Sequence, residues 1–439
     1  MSAKHYVDAP TVTAYTKSVD ISGRLMARVE RYPAQKLRII ERNGEIDYEP
    51  HGPVVEMPAV LWRNGEPWLA AMAYLREKAF EAHFDGGSPT TMTLHATALA
   101  AYATFIEGEG IAWNQMPEDR SLRPTYRYRG HVLSRCEARS LARSTAANHM
   151  SVLRAYYAWA THQGYLRGPA APYQPRHVAV RYTDPYGLTK TTNVLTSDLA
   201  IRRPAIGRRG VEEGCTPLRM ADRDRVLRIA KEQFRSEFEL ALKIGFYSGM
   251  RLGTILGLTH TSLRKHFPSR DIHGWYSISV GPQYGIHTKN GVEYYPSMPE
   301  PLLRELLGYC RSVGRDIRIS KAQSADKDLV FLSKHGAQLK TRSFSQDMTL
   351  LRRIAKAQGL QIPRFKFHDS RATFGTAFVL AALQAGHKTA QIMPRLMRLM
   401  GHASSASTMS YIDFVEDDRR MEAATSDWEA YLGLPEATT

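Results

Sequence analysis

Apolar residues recur three and four positions apart in three successive stretches, WLAAMAYLREKAFEAHF (68–84), TLHATALAAYATFIEGEGI (93–111) and STAANHMSVLRAYYAWATHQGYL (144–166). That spacing predicts three amphipathic helices, the last opening at a Ser144-Thr145 capping signal and closing near Gly164. Ahead of them, LRIIERNGEIDYE carries alternating runs on either side of Asn43-Gly44, and Asn64-Gly65 marks another turn, so residues 1–65 are expected to form a small β-containing region. Residues 66–167 form the helical unit. Residues 168–214 are rich in Pro, Thr, Arg and Gly without sustained periodicity and are expected to be an interdomain linker. A second globular unit spans 215–415, followed by a tail, 416–439. The expected fold is multidomain and mainly α, with an α+β second unit holding a small β-hairpin sheet.

In that second unit FELALKIGFYSGMR places Phe238, Ala241, Leu242, Gly245 and Phe246 on one helical face, ends at Gly249, and leaves Arg251 at the corner before GTILGL. GWYSISV and GIHTKNGVEYYPSMP are expected to be strands around an Asn290-Gly291 turn, with Lys289 at the hairpin tip. HDSRATF puts His368 and Arg371 on one face of a helix, with Phe374 and Phe378 turned toward a core. In RLMGHASSASTMSYIDF, Gly401 and the Ser404-Ser405 pair supply a helix stop and an N-cap, so that His402 and Tyr411 can converge from separate elements.

Composition narrows the function. A chain of 439 residues with 43% hydrophobic content can bury more than one core, and a formal charge of +16 points to a polyanionic partner, most simply nucleic acid. Seven arginines fall within residues 120–143, with Tyr126 and Tyr128 between them. Arg127, Arg129 and Arg135 suit phosphates, and the two tyrosines suit stacking on bases or sugars. Cys136, Cys215 and Cys310 lie too far apart in sequence for a disulfide framework or a Cys-x-x-Cys metal site, and no carboxylate cluster has metal-ligand spacing. No cofactor is therefore expected. The longest apolar run, 372–383, is too short to span a bilayer and the N-terminus lacks an apolar signal core, so a cytoplasmic, nucleoid-associated protein with no membrane partner is expected.

These motifs together resemble the tyrosine recombinase, or phage integrase, family. SGMRLGTILGL resembles its first arginine box, HTKNGVEYYP its lysine hairpin, FHDSRATFGT its His-x-x-Arg box, and LMGHASSASTMSYIDF its Leu-Gly-His…Tyr box. The resemblance covers about residues 216–415, extends more weakly to a core-binding domain at 66–167, and does not reach 1–65. It implies a site-specific recombinase that cleaves and rejoins double-stranded DNA through a 3′-phosphotyrosyl intermediate, integrating or excising a mobile element. Tyr411 would be the nucleophile, Arg251, Arg371 and His402 the phosphate ligands, Lys289 the general acid and His368 a proton-handling partner. The resemblance further implies homo-oligomers on DNA, a dimer assembling to a tetramer, with accessory proteins and a tail that docks on neighbouring subunits. Other users of such a scaffold are a non-cleaving DNA-binding regulator, disfavoured by the complete Arg, Lys, His, Arg, His, Tyr set, and a type IB topoisomerase, disfavoured by the helical unit and the tail. Three positions depart from the family pattern: Thr254 where an acidic residue is common, Ser370 for leucine and Ala372 for histidine. They support the site, so their expected effect is on rate and not on reaction type.

Overall fold

The computed structural model describes residues 26–42, 45–84, 89–183, 189–202, 211–362 and 364–431. The chain forms two compact units, Met1–Val180 with Thr191–Ala205 and Arg181–Lys190 with Ile206–Thr439.

The first unit opens with an antiparallel ribbon, β1 (Arg28–Arg42) and β2 (Glu45–Leu61), paired from Arg28↔Leu61 to Arg42↔Glu45. Asn43-Gly44, the expected turn, lies outside the described residues, and so do residues 1–25. Only the base of the ribbon is buried: Val55, Met57 and Val60 pack with α1 (Leu69–Phe84) and α2 (Pro89–Glu109), while Ile39 and Ile46 stay exposed. α4 (Arg143–His162) completes the core, which is dominated by Trp68, Tyr74, Tyr102, Tyr156 and Tyr157. Buried phenols need partners, and the Tyr157 hydroxyl meets Tyr102 at 2.5 Å and donates to the Trp113 carbonyl at 2.6 Å.

Two sequence expectations are corrected here. α4 begins one residue before Ser144, with Ala142 at the N-cap, so Ser144 and Thr145 lie inside the first turn and do not cap it. The arginine-rich stretch is itself largely helical, α3 (Pro124–Glu137), started by Pro124, whose missing N–H is no loss at a helix N-terminus.

The stretch expected to be a plain linker contains a paired hairpin, β3 (Pro175–Thr183) and β4 (Thr189–Ser197). Its β-branched and aromatic residues alternate too weakly with Pro and Gly nearby for the pattern to stand out.

In the second unit, α5 (Met220–Gln233), α6 (Ser236–Ser248), α7 (Leu252–Leu256) and α8 (His260–Arg264) lead into a three-stranded antiparallel sheet. Its strands are β5 (Phe267–Pro268), β6 (Trp275–Ser277) and β7 (Ser297–Pro299). The expected long strands are shorter than their alternation suggests: beyond β6 and β7 the only described bridge is Val280↔Tyr294. Then come α9 (Glu300–Cys310), α10 (Val313–Ile319), α11 (Thr341–Ala357), α12 (Phe367–Gln384), α13 (Thr389–Met400) and α14 (Ser405–Tyr431).

α12 is the central helix and packs against α6, α13 and α14. One side meets a large core through Phe367; the other meets a second cluster through Ala372, Phe374 and Val379, together with Met400, Tyr411 and Ile412. A helix sandwiched in this way is apolar all round, which accounts for ATFGTAFVLAAL. Close contact with α6 depends on small residues: a Cβ at Gly245 would lie 2.2 Å from the Ser370 hydroxyl, so the serine that replaces leucine fits the interface.

Candidate functional site

α6 stops at Gly249, whose φ of +65° suits glycine; a Cβ there would also come within 2.5 Å of the Phe374 ring. Two residues on, Arg251 caps the start of α7 and is half-buried. Arg371, in the second turn of α12, is fully buried. Its Nη1 donates to the Gly249 carbonyl at 2.5 Å and to the Met400 carbonyl at 2.9 Å, so one guanidinium joins the C-terminal ends of α6 and α13, where helix dipoles favour a cation.

α13 ends at Gly401, also left-handed, beneath the Tyr294 ring, and His402 follows. The Thr408 hydroxyl lies 2.7 Å from His402 Nδ1 and fixes the ring. Tyr411 lies in the second turn of α14, 1% exposed, its ring stacked beside His402 at 5.8 Å between centroids. Room for it comes from Gly375 on α12, where a Cβ would sit 2.5 Å from the Tyr411 ring.

The four side chains meet at a residue that the sequence gave no reason to single out. Glu212 takes the Arg251 Nη2 on Oε1 at 2.6 Å. On Oε2 it takes the Arg371 Nε at 3.0 Å, the His402 Nε2 at 3.2 Å and the Tyr411 hydroxyl at 3.1 Å. It stands in the 3₁₀ turn Glu212–Gly214, closed by paired hydrogen bonds between Val211 and Cys215. Val211 and Cys215 are buried in the cluster around Tyr411, and the next residues are tied to α12 by Thr216 N–H to Asp369 and Leu218 N–H to Thr373. The end of the supposed linker is therefore part of this unit's core. A lone glutamate in a Gly- and Arg-rich run carries no periodic signal, and the available clue was the missing acid at Thr254, which is buried.

Electrostatically the site is an anion pocket. Burial pushes the Glu212 carboxyl up, but the His402 hydrogen bond and the charges of Arg371 and Arg251 outweigh it and hold the group far below the ordinary carboxylate range. Burial lowers the His402 pKa despite the carboxylate, which fits a neutral ring that donates from Nε2 and accepts the Thr408 proton at Nδ1. Burial raises the Tyr411 phenol well above its usual value; Arg371 opposes this and Glu212 reinforces it. Arg251 Nε and Arg371 Nη2, both buried, have no hydrogen-bond partner among the described residues, so the guanidinium pair retains donors beyond those Glu212 uses.

Among the expected site residues, Arg251, Arg371, His402 and Tyr411 thus come together. His368 is half-buried one turn before Arg371, and Lys289 is exposed in the 3₁₀ turn Lys289–Gly291, where Asn290 takes a φ of +61°. The expected DNA-binding set divides. Arg135 is exposed, Arg127 pairs with Glu109 at 2.7 Å, and Arg129 is half-buried. Tyr128 is corrected: it is 2% exposed, within the first unit's core, its hydroxyl 2.9 Å from His149 Nδ1, and cannot stack on a base. The Tyr126 hydroxyl donates to Asp198 at 2.6 Å and its ring lies 4.4 Å below the Arg120 guanidinium, so its exposed face is already partly taken.

The chain matches two family models, the phage integrase family over residues 218–417 and the phage integrase N-terminal SAM-like domain over 83–164. It belongs to the tyrosine recombinase, or phage integrase, family, and is a tyrosine-type site-specific DNA recombinase. No curated protein matches it. Among solved structures it is similar to XerA recombinase, at 15% identity and a TM-score of 0.33, covering 81% of this chain and 96% of that one. It is also similar to the Tn1549 transposon integrase in complex with a circular intermediate DNA, at 15% identity, a TM-score of 0.47, and 78% and 94% coverage. For a lambda integrase dimer bound to a core site the values are 13%, 0.45, 78% and 95%.

Proposed function

We propose that this recombinase cuts double-stranded DNA with Tyr411 and holds the scissile phosphate with Arg251, Arg371 and His402. The observation that carries the reading is the convergence of two guanidinium groups, an imidazole N–H and a tyrosine hydroxyl on one pair of anionic oxygens. Attack of the phenol oxygen on phosphorus concentrates charge on the non-bridging oxygens, and preorganised planar donors in a water-poor pocket stabilise that charge without reorganising. The 3′ phosphate transfers to Tyr411 as the bond to the 5′ oxygen breaks, and that oxygen takes a proton from Lys289, whose turn must close on the site. His368 handles protons beside the clamp. The phosphotyrosyl bond conserves the energy of the broken linkage, so the 5′ hydroxyl of a partner strand rejoins it by reversal.

In this reading the protein acts as a homo-oligomer on DNA, a dimer assembling to a tetramer with accessory proteins, and α3 supplies phosphate contacts from the SAM-like unit. It acts in the cytoplasm at the nucleoid; among the described residues no helix is long and apolar enough to cross a membrane. The test is a nicked suicide duplex carrying its recombination site. The wild type should become linked to the 3′ phosphate, while Tyr411→Phe should bind the duplex and remain unlinked. Linkage by Tyr411→Phe would remove the nucleophile assignment.

A further inference from the structure

Glu212 cannot keep its position once DNA is in the clamp. Its two oxygens take the Nη2 of Arg251, the Nε of Arg371, the Nε2–H of His402 and the hydroxyl proton of Tyr411, the four groups that the proposed reaction directs at a phosphodiester. A second anion on the same donors would sit in van der Waals contact with the carboxylate, at strong repulsion in a pocket of low dielectric. We infer that Glu212 is a built-in stand-in for the scissile phosphate, a latch that closes the site in free protein and must be displaced by DNA before Tyr411 can react. This inference rests on the functional reading above.

Three features favour a latch over a buttress for the arginines. A buttress would bind the guanidinium edges that face away from the reacting atoms and leave the tyrosine alone, whereas Glu212 accepts the nucleophile's own proton. The arginines also have support that Glu212 does not provide: Arg371 is held by the carbonyls of Gly249 and Met400, and Arg251 by that of Gly401 at 3.4 Å. Finally, Arg251 Nε and Arg371 Nη2 remain open among the described residues, as expected where a two-oxygen carboxylate fills a seat shaped for a larger anion. Thr254, at the position where the sequence suggests a lost acid, is buried and uncharged, so Glu212 is the carboxylate at the clamp. Because the turn that carries it opens the second unit directly after the stretch joining the two units, whatever moves that stretch can also move the latch.

The experiment compares wild type, Glu212→Gln and Glu212→Ala as full-length protein in two arms. In the first, cleavage of the nicked suicide duplex is followed over a range of DNA concentration. If the seat is open in about one free molecule in ten, apparent DNA affinity is weakened about tenfold. The variants should then reach half-maximal rate at about tenfold lower DNA, with a maximal rate no lower than wild type. In the second arm, inorganic phosphate is added to DNA-free protein and the melting temperature is read. Phosphate should stabilise both variants and leave the wild type nearly unchanged, and it should recover any stability that Glu212→Ala loses. Maximal cleavage tenfold or more below wild type, with no stabilisation by phosphate, would make Glu212 a buttress and overturn the inference. If no protein becomes linked through Tyr411, the functional reading fails, and the phosphate arm alone still decides whether Glu212 occupies an anion seat.

Discussion

Arg371→Ala tests whether the same guanidinium carries both fold and chemistry. The side chain is fully buried, and its Nη1 satisfies two carbonyls that terminate different helices, Gly249 after α6 and Met400 in α13. Leaving a buried carbonyl without a partner costs about 1–3 kcal/mol, and removing one partner from a buried ion pair costs about 3–5 kcal/mol. These terms share a neighbourhood and do not add, and water entering the vacated volume recovers part of them. A loss of at least about 4 kcal/mol in unfolding free energy is expected on these figures. The matching loss of transition-state stabilisation should slow cleavage by a factor on the order of 10² to 10³. Urea denaturation of DNA-free protein gives the first number, and single-turnover cleavage at a temperature where the variant remains folded gives the second. Arg371→Lys should fall between, since an ammonium restores charge but cannot reach both carbonyls and the anion together. An unfolding free energy within about 1 kcal/mol of wild type would refute the structural half of the argument, because it would mean that the carbonyls need no guanidinium.

If Lys289 protonates the departing 5′ oxygen, a bridging 5′-phosphorothiolate, whose sulfur leaves without a proton, should restore cleavage to Lys289→Ala but not to Arg251→Ala; equal rescue would make Lys289 a phosphate ligand. Acid should destabilise free protein in two stages. His402, lowered from 6.5 by burial, contributes stability that is complete above that value and declines below it, and Glu212, held below its ordinary 4.5, contributes stability that is complete above 4.5 and is lost as pH falls further. Urea midpoints between pH 7 and 4 should therefore fall for wild type and flatten at the acid end in Glu212→Gln, and superimposable profiles would contradict the ion pairs. Alanine at Arg127, Arg129 and Arg135 should weaken target and non-target DNA alike and lower the slope of log affinity against log salt by about two to three units; an unchanged slope would take α3 off the DNA. Tyr128→Ala should instead lower stability, by about 3–5 kcal/mol for a buried aromatic.

Much of the clamp was legible because its chemistry needs particular side chains at turns that sequence can mark. Gly249 and Gly401 announce helix ends, and Arg251 and His402 follow them closely. Arg371 was legible as a residue but not as a buried one, since a helix period cannot tell a solvated arginine from one that bonds two helix ends. Tyr128 misled for the opposite reason: its arginine neighbours suggested a wet surface, while the phenol turns inward to His149. Glu212 was invisible, because its importance comes from contacts 39 to 199 residues distant in sequence and from no local pattern.

Tyr411 is mounted near the start of a helix that continues unbroken to Tyr431. At 1.5 Å per residue, the twenty residues beyond the tyrosine extend about 30 Å from it. A rod of that length works as a crank: a small tilt imposed at its far end swings the hydroxyl through a fraction of that arc, with Gly375 as the smooth bearing against which the ring can slide. The nucleophile and the tail are thus one mechanical part, and a grip on the tail is also a grip on the timing of the cut.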